Sequence, residues 1–452
     1  MLVEQPLISI YLPCHNYGRY LKRAIESVLR QTYENFELLI FDENSKDNTA
    51  EIINLFKGDS RIRVFKTEGL GLIKVANIAI REAKGKYLIR LDADDIFNDD
   101  ILLVLVQRMI NNPELAFVFP DYYLIDEYDE IIALEKREKV YAKNNSLDIP
   151  AHGACTLFKL DALKEVGGYK TEFKAQDGYY IWNKILSKYK CDNVNLPLFY
   201  YRRHEVNLTN QPDRILTARR AIKLNEIKDD IVRNRPINIV IPCREDYDFV
   251  KNLWNLELGG KKLLEHSIEN CINSDLWDNI IVACDNEEVL EITDNYDDNR
   301  IKFFKRDKRD TIRSIDITKT LDKIARIYDK EYKGVTVISY VQSPFVKKET
   351  LEEAVYTNLI VDSDSAFTVE EIKSEVYRRG SHGLVSINPP QFITSDYEVL
   401  FKDANSAFSS KTSNFKKGTL YGSKVANYFT IEEESIFIDS EKNYKIAKSF
   451  VR

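Results

Sequence analysis

An apolar segment at the start of the chain is almost repeated near its middle. Residues 8–14 read ISIYLPC and residues 237–243 read INIVIPC, and each run has the length and composition of a buried strand. After each run come residues at helical spacing and then a second apolar strand, Phe36–Phe41 in the first case and Trp277–Asp285 in the second. Strand, helix and strand in that order predict parallel neighbours. We therefore expect an α/β protein with two consecutive Rossmann-like nucleotide-binding domains.

The length of the chain agrees with two domains. The 452 residues exceed the usual size of one domain. A charged, mostly helical stretch, Ile215–Val232, is broken by the sequence RNRP at residues 233–236. We place a first domain at residues 1–213, a helical linker at 214–235 and a second domain at 236–452.

Acidic residues close two predicted strands of the first domain. Residues 92–95 (DADD) follow the apolar run Tyr87–Leu91, and Asp42 and Glu43 follow the strand that begins at Phe36. Ligands of open parallel sheets bind beyond the carboxyl ends of the strands. Carboxylates this close repel one another, and a divalent cation relieves the repulsion while it binds phosphates. Alone, such a cluster is more often a solvated turn than a metal site, so the neighbouring motifs decide between the two.

These neighbouring motifs resemble the family 2 inverting glycosyltransferases, which have the GT-A fold. The resemblance extends from about Pro6 to about Thr209 and consists of several pieces in the family's order. The pieces are LPCHN at 12–16, SVLRQTY at 27–33, DENSKDNT at 42–49, Asn77, RLDADD at 90–95, VGGY at 166–169, QDGYYIW at 176–182 and YRRH at 201–204.

The resemblance implies roles for three aspartates. Asp92 and Asp94 match the family's Asp-x-Asp motif, which binds Mn²⁺ or Mg²⁺ and the diphosphate of a sugar nucleotide. Asp177 matches the catalytic base that takes the proton from the acceptor hydroxyl, so that attack from the far face inverts the anomeric carbon. An aspartate of ordinary pKa, about 4, acts here through its position more than through its basicity.

The resemblance also implies a nucleotide-sugar site and an acceptor site. Asp42 and Glu43 match the acidic pair that binds the nucleoside, where a carboxylate accepts the ring N–H of a uracil-type base. The family usually has aspartate at position 43, and glutamate reaches further. The other expected nucleotide-sugar residues are Pro13, His15, Asn77, Ala93, Arg202 and His204. The expected acceptor-side residues are His152, Gly153 and Gln176.

The second half resembles the cytidylyltransferases that make CMP-activated acidic sugars such as sialic acid. The matching pieces are PCR at 242–244, KN at 251–252, LGGKKLL at 258–264, VACD at 282–285, QSPF at 342–345 and IDSE at 438–441. Where the family has a Gly-Gly-Ser-Lys type loop that holds the triphosphate, this chain has EDYD at 245–248. Of the two aspartates that close the family's Mg²⁺ site, only Asp439 remains, and Phe437 takes the place of the other.

These departures favour a degenerate second domain retained for docking, dimerisation or positioning. Two alternatives stay open: an active CMP-sugar synthetase, in which Arg244, Lys251 and Asp439 would act, and a domain that binds a nucleotide or sugar without turning it over. A further alternative is a scaffold protein without enzymatic activity in either domain. A scaffold would have no need to keep Asp92, Asp94 and Asp177, so these residues favour an enzyme.

The amino-acid composition limits the classes of molecule that this protein is expected to bind. The net charge of −7 argues against nucleic acid, and the six cysteines lack the spacing of a zinc site or a disulfide framework. No signal peptide or membrane span is apparent, so we expect a cytoplasmic protein. The expected donor is a nucleoside-diphosphate sugar, with UDP favoured, and the acceptor a saccharide or lipid-linked hydroxyl in surface polysaccharide or glycoconjugate synthesis. Peripheral contact with the inner face of a membrane and a homo-oligomer formed through the second domain stay open.

Overall fold

The chain forms two compact units. The computed structural model describes residues 5–137, 153–173, 177–204, 212–226, 234–312, 316–372, 374–387 and 400–451. The first unit comprises Met1–Ala218 with Ser374–Glu398, and the second comprises Arg219–Lys373 with Val399–Arg452. The division falls inside a helix, Pro212–Glu226, within the stretch expected to be a linker.

The first unit contains a mixed sheet covered by helices. Its strands are β1 Ile8–Cys14, β2 Phe36–Glu43, β3 Ile62–Thr67, β4 Tyr87–Arg90, β5 Ile96–Phe97, β6 Leu115–Ile125, β7 Ile131–Glu135, β8 Leu157–Lys159 and β9 Lys190–Arg202. Its helices are α1 Gly18–Leu29, α2 Thr49–Leu55, α3 Leu72–Glu82, α4 Ile101–Asn111, α5 Leu160–Glu165, α6 Asp177–Leu186 and α7 Pro212–Glu226, the last of which continues into the second unit. In the described part of the chain the strand order is β3-β2-β1-β4-β8-β6-β9-β5, and β7 pairs with β6.

Period-two alternation in the strands gives the first sheet two apolar faces. On one face Ile10 and Leu38 pack in a core that includes Leu21 of α1. On the other face Tyr11 and Leu39 belong to a core shared with α3, α5 and α6. Successive strand residues point to opposite faces, so a strand covered on both sides becomes apolar throughout.

The parallel pairing places the predicted acidic clusters at one edge of the sheet. β1 lies between β2 and β4, with Cys14 opposite Asp42 and Tyr11 opposite Arg90. Because the three strands run in the same direction, the segments that follow them meet beyond their carboxyl ends. This confirms the predicted strand-helix-strand arrangement of the first unit.

The second unit repeats this plan with its own sheet. Its strands are β10 Ile237–Pro242, β11 Glu257–Leu258, β12 Lys261–Lys262, β13 Asn279–Cys284, β14 Ile301–Lys305, β15 Val335–Ile338, β16 Ser365–Glu371, β19 Phe401–Lys411 and β20 Val425–Phe429. Its further helices are α8 Leu263–Ile272, α9 Leu290–Thr293, α10 Thr318–Tyr328, α11 Lys348–Ile360, α12 Ser413–Lys416 and α13 Glu441–Phe450. The main sheet has the order β14-β13-β10-β15-β19-β16-β20, and β11 pairs with β12. A hairpin of β17 Tyr377–Gly380 and β18 Gly383–Ser386 is grouped with the first unit.

The predicted fold class is confirmed in both units. β10 pairs in parallel with β13 and β15, as β1 does with β2 and β4. Ile239 and Val240 face different cores, one shared with α8 and the other with α10. Among the described helices, none is both long and apolar enough to cross a membrane.

Candidate active site

Three aspartates follow β4, at the edge of the first sheet where the parallel strands β1, β2 and β4 end. Each aspartate has a different environment. The Arg90 guanidinium lies 3.0 Å from the Asp92 carboxylate. Asp95 is 1% exposed, and its Oδ1 accepts the main-chain N–H of Arg202 at 2.9 Å. Burial, followed by the charges of Asp94 and Asp92, raises the pKa of the Asp95 carboxyl well above its ordinary value. The Asp95 carboxylate is therefore buried and bonded to the main chain of β9. The Asp94 carboxylate has a different partner.

Asp94 faces the imidazole of the YRRH motif. Its Oδ2 lies 3.0 Å from Nε2 of His204. The His204 ring in turn packs near two tyrosine rings, with centroid distances of 5.7 Å to Tyr20 and 5.8 Å to Tyr17. The structure thus brings together Asp94 and His204, both expected in the nucleotide-sugar site.

Tyr17 is a residue of this site that sequence reasoning missed. Its phenol lies close enough to the acidic cluster for the charges of Asp94, Asp92 and Asp95 to raise its pKa, after the larger effect of burial. Tyr17 directly precedes α1, where an aromatic residue gives no signal of a ligand site. The sequence could not reveal the position of Tyr17, because the residues around it, Asp94 and His204, come from the distant segments that follow β4 and β9.

The pair of Asp94 and His204 fits one side of a divalent metal site. Asp94 Oδ2 and His204 Nε2 form a hydrogen bond of 3.0 Å, and two donors of one octahedral ion, each about 2.1 Å from it, also lie about 3 Å apart. No group of three or more His, Cys, Asp or Glu side chains suited to a metal ion exists in the described part of the chain. An ion held here would therefore need oxygen ligands from a substrate, as Mg²⁺ usually takes from phosphates.

The end of β2 offers a buried acceptor. Glu43 is 6% exposed, and its Oε2 accepts the N–H of Gly71 at 2.8 Å. No hydrogen bond within the described structure reaches Glu43 Oε1, although that atom is buried. Buried carboxylate oxygens are normally paired, so a ligand N–H would complete this one. The neighbouring Asp42 is also buried and accepts the N–H of Ser45 at 3.1 Å.

The loop after β1 is fastened to the end of β2. His15 Nδ1 donates to the carbonyl of Glu43 at 2.6 Å, and Pro13 lies opposite Phe41 in the parallel register. Asn16 has a left-handed φ of 59° and its N–H donates to Ser45. His15 thus shapes the same edge that carries Glu43.

Other expected nucleotide-sugar residues lie inside the unit. Asn77 exchanges two hydrogen bonds with the main chain of Tyr169, at 2.7 and 2.9 Å. Ala93 is 3% exposed, and the Arg202 side chain has no exposed surface. These contacts give Asn77 and Arg202 structural partners, and a role in ligand binding stays a prediction for each.

The acceptor side is described only in part. Asp177 is the first residue of α6, and its side chain lies outside the described residues, as do His152 and Gln176 entirely. Gly153 is buried, and close to it the N–H of Cys155 donates to the carbonyl of Arg90 at 3.0 Å. The segment that begins at Gly153 therefore passes beside the end of β4.

The second unit has a small cavity at the equivalent edge of its sheet. Its volume is about 150 Å³, and it lies at the ends of β10 and β15 and beside the segment that follows β14. Arg306 is 8% exposed and donates to the carbonyls of Cys243 and Asp310 at 2.9 and 2.8 Å. The lining residues are Pro242, Cys243, Arg244, Tyr247, Arg306, Asp310, Thr311, Ile312, Ile317, Tyr340 and Gln342.

The acidic loop after β10 is occupied by its own contacts. The N–H of Glu245 donates to Asp285 Oδ1 at 2.7 Å, and the Glu245 carboxylate lies 3.1 Å from Nζ of Lys308. Lys251, expected to act if this domain is active, lies 3.5 Å from Asp246 and 3.7 Å from Glu245. These contacts lie at the surface, since the side chains of Lys251, Lys308 and Asp246 are each about three-quarters exposed.

The closing motif lies beside the same cavity without a pair of aspartates. Phe437 packs edge-on against the lining residue Tyr340, with ring centroids 6.1 Å apart. The N–H of Ile438 donates to the carbonyl of Gln342 at 2.8 Å. Asp439 is exposed and accepts from Asn443 at 2.8 Å. Three residues were expected to act if this domain is active. Arg244 lines the cavity, Lys251 contacts Asp246, and Asp439 accepts a hydrogen bond from α13.

Comparison with known proteins agrees with the two halves of this description. Residues 9–167 match the family model described as Glycosyl transferase family 2. The UDP-Glc:alpha-D-GlcNAc-diphosphoundecaprenol beta-1,3-glucosyltransferase WfgD of Escherichia coli is 30% identical over 43% of this chain and 75% of its own length. The chain belongs to the family 2 glycosyltransferases. Residues 250–421 of this glycosyltransferase match the family model described as Cytidylyltransferase. Both resemblances expected from the sequence are confirmed.

Other relatives of this glycosyltransferase share a smaller part of their length. The glycosyltransferase GlyG of Streptococcus pneumoniae is 37% identical over 27% of this chain and 41% of its own length. The chain thus covers less than half of GlyG. Among solved structures, S. aureus TarS 1–349 in complex with UDP-GlcNAc has a TM-score of 0.42 and 16% identity, over 49% of this chain and 68% of that chain.

Proposed function

We propose that the first unit transfers a sugar from a UDP-sugar to a hydroxyl acceptor, with inversion and with the help of Mn²⁺ or Mg²⁺. The observation that carries this proposal is the pair of Asp94 Oδ2 and His204 Nε2, 3.0 Å apart at the edge where β1, β2 and β4 end. This hydrogen-bonded carboxylate and imidazole are both metal-ligating groups, and that edge is where open α/β sheets bind nucleotides.

Different residues at this edge would bind different parts of the sugar-nucleotide donor. Glu43 Oε1, buried and without a hydrogen bond in the described structure, would accept a ring N–H of the base. Asp94 and His204 would hold the metal, which neutralises charge on the departing diphosphate. Tyr17, whose ring packs near His204, would donate its hydroxyl to a phosphate oxygen. Asp177, at the start of α6, would take the proton of the acceptor hydroxyl as that oxygen attacks the anomeric carbon.

The acceptor class is proposed from a relative. The name of the WfgD enzyme states a UDP-glucose donor and a diphosphoundecaprenol-linked acceptor. We propose a similar saccharide or lipid-linked acceptor here, in the synthesis of a surface polysaccharide. A lipid-linked acceptor would bring the protein to the cytoplasmic face of a membrane.

The second unit is proposed to be a degenerate cytidylyltransferase. The loop after β10 carries the carboxylates of Glu245, Asp246 and Asp248, and Phe437 fills a position where the family carries a metal-binding aspartate. A triphosphate needs free positive charge and small residues for close approach. A role in docking or homo-oligomer formation fits a retained fold that has lost its chemistry.

A thermal-shift experiment on the full chain tests the proposed function. UDP, GDP, CDP and CTP would each be added with Mn²⁺ and with EDTA. We expect UDP to raise the melting temperature in the presence of Mn²⁺ and the effect to disappear in Asp94→Asn. Asp161→Asn, a change on the exposed side of α5, is the matched control and should respond as wild type. Stabilisation by CTP alone, unchanged in Asp94→Asn, would contradict the proposal.

A further inference from the structure

Arg202 joins the acidic loop to a turn that no motif contains. It is the last residue of β9, and its side chain has no exposed surface. Its Nε donates to the carbonyl of Asp94 at 2.7 Å, while its main-chain N–H donates to the carboxylate of Asp95 at 2.9 Å. Its Nη1 donates to the carbonyl of Asp126 at 2.7 Å. One side chain thus links the segment after β4 with the segment after β6.

The turn between β6 and β7 is built to present acceptors to Arg202. The Asp126 carboxylate accepts the N–H groups of Tyr128 and Glu130, at 2.8 and 2.9 Å, which fixes the turn. Asp129 has a left-handed φ of 72°, and its carboxylate pairs with Arg202 and with Arg23. The Asp129 carboxylate adds to the negative charges of Asp95, Asp94 and Asp126 around this buried guanidinium, and an unpaired buried cation would be strongly destabilising.

The stacking partner of Arg202 also belongs to the site. The guanidinium lies over the Tyr20 ring, 4.6 Å from its centroid, and the same ring stacks with His204 at 5.7 Å. Arg202 therefore contacts Asp94 through its carbonyl and reaches His204 through Tyr20. The Arg202 side chain is therefore linked to both members of the candidate metal pair, directly to Asp94 and through Tyr20 to His204.

We propose that Arg202 and Asp129 are positioning residues that fix the geometry of Asp94 and His204. This inference rests on the proposed function of the first unit. The Arg202 side chain has no exposed surface, so the role proposed here is support of the site through Asp94 and Tyr20. Lysine would not replace it, since one ammonium group cannot reproduce the planar array of donors that meets three carbonyl and carboxylate groups.

The test uses full-length Arg202→Lys, Asp129→Asn and the double variant. Calorimetry would measure the affinity for UDP in the presence of Mn²⁺, and a separate titration the affinity for uridine without metal. We expect each single variant to weaken UDP binding with Mn²⁺ by at least about tenfold, the range seen when partners of metal ligands are removed. Uridine affinity should not change, because the Glu43 side of the site does not depend on Arg202.

Two comparisons make the test decisive. The double variant should be no weaker than the worse single variant, since both changes break the same link. Arg108→Lys is the matched control, because Arg108 pairs with Asp192 near the opposite end of β9 and should leave both affinities unchanged. If Arg202→Lys does not fold, Asp129→Asn decides the outcome alone.

Three results would overturn the inference. The first is wild-type UDP affinity with Mn²⁺ in Asp129→Asn, the second is losses that add in the double variant, and the third is equal weakening of uridine and UDP. Failure of the proposed function is a different result: wild-type protein would then show no Mn²⁺-dependent affinity for UDP. That result would remove the inference together with the function on which it rests.

Discussion

Asp94 and His204 lie 110 residues apart in the chain, and their side chains meet at 3.0 Å. Each comes from a different segment, one after β4 and the other after β9. The sheet brings the two segments together, so the pair is a product of the tertiary fold. This pair is the candidate metal site of the first unit.

Replacement of His204 should affect metal use more than nucleoside binding. In His204→Ala the Asp94 carboxylate loses its partner at 3.0 Å, and a bound ion would lose one ligand. We expect the Mn²⁺ concentration for half-maximal transfer to rise by about tenfold or more. Donor turnover measured against Mn²⁺ concentration checks this, with His266→Ala in the second unit as the control. An unchanged metal requirement would contradict the role of His204.

Glu43 should determine affinity for the base. Glu43→Gln removes a carboxylate acceptor whose Oε1 is buried without a hydrogen bond in the described structure. We expect uridine and UDP both to bind about tenfold more weakly, which corresponds to roughly 1.4 kcal/mol for one charged hydrogen bond. Calorimetric titration with both ligands measures the effect, and Glu51→Gln on α2 is the control. Selective loss of UDP affinity, with uridine unaffected, would place Glu43 at the diphosphate instead.

The second unit should depend on buried charges of helix α7. Lys223 Nζ and Arg220 Nε lie 2.7 and 2.6 Å from the carboxylate of Glu353, which is 3% exposed. In Glu353→Gln both cations lose this counter-charge, so we expect the unit to lose about 3 kcal/mol of stability. Urea unfolding followed by tryptophan fluorescence gives the measurement.

A surface pair provides the control for that prediction. Lys305 lies 2.5 Å from Glu287, and both side chains are more than half exposed. Glu287→Gln should change stability by less than about 1 kcal/mol. Equal effects of Glu353→Gln and Glu287→Gln would show that the helix is not anchored by its charges.

The second unit should not activate a sugar with CTP. Incubation of the full chain with CTP, Mg²⁺ and an acidic sugar such as N-acetylneuraminate should release no pyrophosphate, because the loop after β10 carries Glu245, Asp246 and Asp248 where a triphosphate needs small residues and positive charge. A coupled phosphate assay checks this, with an authentic CMP-sugar synthetase as the positive control. Release of pyrophosphate above background would make the protein bifunctional.

The sequence predicted the fold around the candidate site. The two α/β units and the parallel strands β1, β2 and β4 follow from apolar runs and their spacing, and the structure confirms them. Asp94 and His204 each belong to a motif, and the structure places them together. Their meeting could not be derived from spacing, since it depends on how β9 is placed in the sheet.

The residues that sequence reasoning missed have no local signal. Tyr17 and Tyr20 read as ordinary residues at the start of a helix, yet both rings pack near His204. Asp129 lies in a polar turn that resembles any solvated hairpin, and only the fold brings it to Arg202. The antiparallel strands β5, β7 and β8 were not predicted either, because short or edge strands carry little periodicity.

The most direct test of the account is the calorimetric affinity of the full chain for UDP, measured with Mn²⁺ and with EDTA, in wild type and in Asp94→Asn. We predict that wild type binds UDP at least about tenfold more tightly with Mn²⁺, and that Asp94→Asn abolishes this difference while it keeps the weaker metal-free binding. An equal gain from Mn²⁺ in wild type and in Asp94→Asn would contradict the assignment of the metal to Asp94.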